Sequence, residues 1–165
     1  MERVIYWTLE EGGHTDKIHG SQNAYRRGKS TETALAGLVD KIESGILRNK
    51  LALGVFLDIS GAFDNILLDK VIEQLRIKNF PTWMIDWYEY ALNNREISLT
   101  TGRLTTKRKL KRGTPQGGIL SPLAFDIAFD PLLQLIESFN HGVATPFGYA
   151  DDASFVILGL SLIHI

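Results

Sequence analysis

The stretch Pro146-Phe147-Gly148-Tyr149-Ala150-Asp151-Asp152-Ala153-Ser154-Phe155-Val156-Ile157-Leu158 sets two adjacent carboxylates between two apolar runs. Aromatic and β-branched residues on either side of a turn-forming pair predict two strands, Pro146 to Tyr149 and Ala153 to Leu158, joined by a tight turn. One aspartate serves a turn by bonding nearby backbone amides; a second beside it adds like-charge repulsion that turn chemistry does not need. Working outward, the compact apolar run Leu51 to Ile59 predicts a strand covered on both faces and ending at a third carboxylate, Asp58. Strands of one sheet can carry distant residues to one edge. Three carboxylates gathered there could not all stay ionised without a counter-charge, and magnesium, with its preference for hard oxygen donors, is the natural one. The plainer alternative is that all three are turn and strand-end residues with their carboxylates in water.

The remaining pattern mixes helices with short strands. Leu35, Leu38, Val39, Ile42 and Ile46 recur at helical spacing after a capping Ser30 or Thr31, which predicts a helix over Thr31 to Arg48. Asp64 is expected to cap a helix from Asn65 to Lys78, and Pro81 separates it from another over Thr82 to Leu92. Glu96 to Thr101 and Leu104 to Leu110 flank Gly102 and predict a hairpin. Ser121-Pro122 predicts a helix start, with a run to Phe129 and, after a kink at Asp130-Pro131, a second piece to Phe139. With no regular βαβ rhythm, the expected class is α+β, a small antiparallel sheet backed by helices.

Composition narrows the function classes. A chain of 165 residues, 44% hydrophobic and 22% charged, has the make-up of a folded domain. Eighteen Lys and Arg against nineteen Asp and Glu neither demand nor forbid a polyanionic partner, so local clustering decides. The absence of cysteine excludes disulfide scaffolds, thiolate zinc sites and cysteine nucleophiles. His14, His19, His141 and His164 show no ligand spacing and read as surface residues. The longest apolar stretch, Ala153 to Ile165, falls short of the ~20 residues that a bilayer-spanning helix needs, and no targeting segment is recognisable. Arg103, Lys107, Arg108, Lys109, Lys111 and Arg112 crowd into one short segment without an acid, a footprint suited to phosphates. A solvated hairpin face is the bland alternative. Arg26, Arg27 and Lys29 form a smaller basic patch.

Three segments, Phe56-Leu57-Asp58-Ile59-Ser60-Gly61-Ala62-Phe63-Asp64, Gly113-Thr114-Pro115-Gln116-Gly117-Gly118-Ile119-Leu120-Ser121-Pro122 and Tyr149-Ala150-Asp151-Asp152, resemble in kind and order the reverse transcriptases of non-LTR, LINE-type retrotransposons. The segment from Ser21 to Leu35 also resembles the one that precedes the first catalytic aspartate in that family. The resemblance implies a right-hand polymerase fold, with a palm at about 51–65 and 116–158, fingers at about 1–50 and 66–115, and an unassigned tail at 161–165. It implies that Asp58, Asp151 and Asp152 hold two Mg²⁺ ions, replaceable by Mn²⁺, with the Ile59 carbonyl as a further ligand. It places Phe63 at a steric gate against the 2′-hydroxyl, Gln116 and Gly117 along the incoming nucleotide and template, and Tyr149 near the primer end. The implied partners are an RNA template, a DNA primer and deoxynucleoside triphosphates, contacted in part by the basic residues above; no membrane is among them, and the oligomeric state is left open.

The resemblance further implies an intracellular setting, cytoplasm and nucleus. A thumb, an upstream endonuclease and a basic fingers segment of full-length members are not recognisable between Met1 and Ile165. The chain is therefore expected to be a core fragment with apolar surface uncovered around Phe155 to Leu158. A catalytically inactive nucleic-acid-binding remnant and a metal-dependent nuclease are the rival readings.

Overall fold

A computed structural model describes residues 1–115, 117–139 and 143–160. The chain divides into two compact units, one of residues 1–14 and 61–128, the other of residues 15–60 and 129–165.

The second unit is built on a three-stranded antiparallel sheet of order β1-β5-β4, where β1 is Leu51–Leu57, β4 Ala144–Tyr149 and β5 Asp152–Gly159. Residues paired across strands share a face, so Phe56, Ser154 and Phe147 lie on one side and Val55, Phe155 and Ala144 on the other. Helix α2, Thr31–Leu47, covers the first face. Its N-terminus is fixed by a capping box in which Ser30 and Thr33 satisfy each other's backbone amides. The face that α2 turns to the sheet carries two glycines: a Cβ at Gly37 would stand 3.2 Å from the Phe147 ring, and one at Gly45 would stand 2.5 Å from the Leu158 side chain. Leu35, Val39 and Ile46 are exposed instead. The expected apolar stripe is therefore rotated, because close helix-sheet approach selects absence of bulk rather than hydrophobicity. The second face packs on the C-terminal half of α6, Ser121–Ser138, through Ile136, Ala144 and Ile157 with Leu132, Val143 and Phe155 around them.

Two sequence expectations change here. Strand β1 is not covered on both faces: it pairs only with β5 among the described residues, and Phe56 is 71% exposed. Conversely, Val156 and Ile157 are buried, because β5 is the central strand of the sheet. On this sheet, Leu51, Leu53, Phe56 and Leu57 of the edge strand β1 are among the exposed apolar side chains.

The first unit holds α1 (Glu2–Glu11), α3 (Ala62–Asn65), α4 (Leu68–Ile77), α5 (Thr82–Asn93), the hairpin β2 (Glu96–Thr101) and β3 (Leu104–Lys109), and the first half of α6. Helix α1 has no counterpart in the sequence reading, since its acidic start gave no clear stripe; Ile5 and Leu9 are its buried residues. The single helix expected over Asn65 to Lys78 is two, and Asp64 lies inside the short α3 rather than capping α4. Val71, Ile72 and Leu75 of α4 are buried as the periodicity requires, as are Met84, Ile85 and Tyr88 of α5. Helix α6 is assigned without a break across Pro131, and the Ser121 hydroxyl donates to the Pro115 carbonyl, closing the preceding loop.

Gly113 has a φ of 74°, and a Cβ there would come within 2.9 Å of the Asp64 carbonyl oxygen, a backbone atom. Gly113→Ala is expected to destabilise the protein by more than ~1 kcal/mol, read as a lowered urea midpoint. The Tyr88 hydroxyl is buried with no hydrogen-bond partner among the described residues, and burial, reinforced by the nearby Glu2 carboxylate, pushes its pKa above the usual tyrosine value. Ionisation then favours the unfolded chain, so stability should hold below pH ~10 and fall above it. Tyr88→Phe should flatten that alkaline decline and leave the neutral-pH melting temperature equal or higher, because it removes only an unpaired polar atom.

Candidate active site

Strand register brings the acidic residues of the second unit to one edge. Leu57 pairs with Ala153, so Asp58, the next residue along β1, and Asp152, the residue before Ala153, stand at the same end of neighbouring strands. Tyr149 pairs with Asp152, which places Ala150 and Asp151 in the two-residue turn between them. Asp152 thus begins β5 instead of lying in the turn. Asp58 and Asp152 are exposed, while Asp151 and Ile59 are half-buried. Among the described residues, no three His, Asp or Glu side chains are grouped so as to hold a metal ion. The backbone therefore supplies the common edge without a gathered trio of carboxylates. In donor chemistry the set suits a hard divalent cation: acidic oxygens from two strand ends and a turn, with the Ile59 carbonyl nearby in sequence.

Beside this edge a cavity of about 330 Å³ opens between α2 and the sheet, lined mainly by apolar groups, with Phe56, Tyr149 and Asp152 among them. The turn itself is held from a segment that sequence reasoning did not single out for a site. Ser21 to Asn23 runs beside β4 as a short parallel bridge: the Gly148 N–H donates to the Ser21 carbonyl at 2.9 Å, and the Asn23 N–H donates to the Gly148 carbonyl at 2.9 Å. Gln22, fully buried, reaches Ala150 with both ends of its amide.

Arg26 and Lys29 belong to the same scaffold. The Arg26 guanidinium donates to the Ile18 and His19 carbonyls, and the Lys29 ammonium donates to the carbonyls of Gly20 and Gln22. Burial, with the Arg26 charge added, lowers the Lys29 pKa. Only Arg27 of that basic patch is exposed. His19 also departs from the sequence reading: its side chain is 11% exposed, with Nε2 at 3.1 Å from Glu137 and Nδ1 accepting the Ser21 N–H. A loop that must stay ordered without regular structure needs partners for its carbonyls, which explains why these polar groups turn inward.

In the first unit, the structure joins Phe63 to the loop that begins at Gly113. The Thr114 N–H donates to the Phe63 carbonyl, the Gly113 N–H donates to that of Ile66, and Arg95 donates to the carbonyls of Arg112 and Gly113. Phe63 is half-buried and stacks on Phe125, with ring centroids 4.8 Å apart. Gly117 has a φ of 79° with open space where a side chain would stand. Gln116 lies outside the described residues, as do His141, His164 and the tail from 161.

Arg103, Lys107, Arg108, Lys109, Lys111 and Arg112 are all exposed. The register divides the hairpin's charges between two faces: Lys107 and Lys109 stand with Glu96 and Ser98, and Arg108 stands with Ile97 and Leu99. Lys107 lies 3.8 Å from Glu96, so one cation of the cluster is partly neutralised.

Residues 1–161 match the model of the family described as reverse transcriptase (RNA-dependent DNA polymerase), and the chain belongs to that family. Among its relatives are the 115 kDa protein of the type-1 retrotransposable element R1DM of Drosophila melanogaster, 27% identical over 85% of this chain, and the Pol polyprotein of the type-1 element R2 of Popillia japonica, 28% identical over 64%. The chain spans only 13% and 19% of those two proteins. In fold it is similar to telomerase of Candida tropicalis. The apo enzyme truncated from its C-terminal domain superposes with a TM-score of 0.68 at 14% identity, over 98% of this chain and 34% of that one. The enzyme in complex with a TWJ fragment of telomeric RNA gives 0.67 at 13%, over 94% and 28%. The relatives from R1 and R2 retrotransposable elements agree with the non-LTR resemblance, and the mixed helix-and-sheet fold is reverse-transcriptase-like. Among the described residues, no helix is long and apolar enough to cross a membrane.

Proposed function

We propose that this chain carries the catalytic core of RNA-directed DNA synthesis, adding deoxynucleotides to a DNA primer on an RNA template. The observation that supports it is the register pairing Leu57 with Ala153, which sets Asp58 and Asp152 at one strand end in a chain of this family. Asp58, Asp151 and Asp152, with the Ile59 carbonyl, would hold two Mg²⁺ or Mn²⁺ ions. When bound there, the cations would supply the positive charge that acidifies the primer 3′-hydroxyl and neutralises the pyrophosphate oxygens. Tyr149, on the strand entering the turn, would bear on the primer end. Phe63 would abut the sugar of the incoming nucleotide, its ring braced by Phe125, and Gln116 with Gly117 would line the base. In this reading residues 51–65 and 116–158 serve as palm, and the basic hairpin, with Arg27, attracts template phosphates.

A second reading, a nucleic-acid-binding remnant without catalysis, draws on the absence of a gathered carboxylate trio among the described residues. Labelled primer-template incubated with Mg²⁺ and deoxynucleotides separates the two, as lengthening or no change; shortening without deoxynucleotides would mark a nuclease. Under the first reading, Asp151→Asn should cut extension by roughly 10³-fold, since the charge stabilisation lost is several kcal/mol, while template binding stays near the original value. Unaltered extension would refute the assignment. Replacing Lys107, Arg108 and Lys109 together by Gln should weaken RNA binding at all sequences alike. The slope of log affinity against log salt should become shallower by about 0.7 for each single-strand phosphate contact removed.

A further inference from the structure

The turn that carries Asp151 and leads into Asp152 takes an uncommon backbone and is held from outside its own hairpin. Ala150 has a φ of 53°, a left-handed backbone that glycine adopts freely and an L-residue keeps only when its surroundings impose it. The two-residue turn between the paired Tyr149 and Asp152 calls for a positive φ at its first residue, where glycine is the usual occupant, and it leaves the N–H and C=O of Ala150 to partners outside the ladder. Gln22 supplies them. Its Nε2 donates to the Ala150 carbonyl at 3.2 Å, and its Oε1 accepts the Ala150 N–H at 3.1 Å. The same Oε1 accepts the N–H groups of Asn23 and Ala24 at 3.0 and 3.1 Å, which locks the side-chain amide to its own loop.

That loop is fixed in turn. Asn23 donates through Nδ2 to the Ser21 and Gly148 carbonyls, and its Oδ1 accepts the Thr33 hydroxyl at the capped start of α2. Arg26 and Lys29 occupy four further carbonyls between Ile18 and Gln22. A fully buried glutamine whose amide meets both polar groups of one strained residue serves that residue's conformation, because a shorter or apolar side chain would fill space without fixing φ.

We infer that Gln22 is a positioning residue for the carboxylates of Asp151 and Asp152: by clamping Ala150 in its left-handed conformation it sets the direction in which the turn presents them to a divalent cation. The inference rests on the proposed metal-holding role of that turn, so the test must fail separately for each. Original chain, Gln22→Met, Gln22→Glu and Asp151→Asn would be compared in three measurements: melting temperature, amide hydrogen exchange across Gly148 to Ala153, and Mn²⁺ affinity by electron paramagnetic resonance well below the melting point. Gln22→Met should speed exchange at Ala150 and weaken Mn²⁺ binding by about 10-fold or more, the usual size of an outer-shell effect, in protein that is still folded. Gln22→Glu keeps an acceptor for the three N–H groups and puts oxygen against the Ala150 carbonyl, so it should protect the Ala150 amide better than Gln22→Met. A lowered melting temperature with unchanged exchange at Ala150 and unchanged Mn²⁺ affinity would overturn the inference, leaving Gln22 a purely stabilising residue. Equal Mn²⁺ binding by the original chain and Asp151→Asn would defeat the metal reading instead, while exchange at Ala150 still decides whether Gln22 holds the turn. If Gln22→Met does not fold, Gln22→Glu, which keeps the acceptor for the Ala150 N–H but loses the donor to its carbonyl, is read by Mn²⁺ affinity: weaker binding than the original chain in folded protein is expected, and unchanged binding would overturn the clamp.

Discussion

The antiparallel ladder between β1 and β5 is the constraint on which the rest depends. Side chains alternate with a period of two, so a slip of one residue would reverse the faces of every residue on β1. It would also move Asp58 away from the strand end that Asp152 occupies. The sheet is held from both sides: α2 contacts all three strands on one face, and the C-terminal half of α6 packs on Ala144 and Ile157 of the other two strands on the opposite face. Hydrophobic packing thereby determines where acidic residues distant in sequence end up, although none of the apolar groups involved has chemistry of its own.

The two units distribute the remaining features in a way that local bonding explains. Phe63 and the loop from Gly113 are joined by main-chain hydrogen bonds and by Arg95, whose pKa burial lowers. Tyr149, Ala150 and the acidic turn are joined to Ser21 to Asn23 by a parallel bridge and a side-chain amide. Each is a case of irregular backbone made rigid by finding partners for groups that no helix or ladder satisfies. The basic hairpin differs: both its strands are exposed along their whole length, and its charges face two ways.

Much of the fold was legible in the residues. The strand-turn-strand around Asp151, the capped helix from Thr31, the hairpin about Gly102 and the helix after Pro81 all follow from period and turn chemistry acting within a few residues. What stayed hidden was decided at longer range. Nothing in the pattern of β1 tells an edge strand from a central one, because Leu51 to Leu57 is apolar throughout and only the strand order assigns its exposure. The inward turn of Arg26, Lys29 and His19 was likewise invisible, since charged residues read as solvated until backbone carbonyls are found waiting for them. Of the site, the motifs gave the acidic positions; Gln22 went unremarked because a polar residue in a polar loop carries no periodic signal. Its one sequence-level hint is its place within the segment preceding the helix that packs on the sheet.

The two glycines of α2 set a standoff distance. At Gly37 and Gly45 the nearest obstacles are the edge of the Phe147 ring and the tip of Leu158, not main chain, so an added methyl would be met by side chains able to swing aside and by a small lift of the helix. The same helix forms one wall of the cavity beside Asp152 through Thr31, Ala34, Leu35 and Leu38. The bore of that cavity is therefore adjustable by shims at two positions of the wall helix that do not themselves line it, with every ionisable group around the acidic turn left as it is.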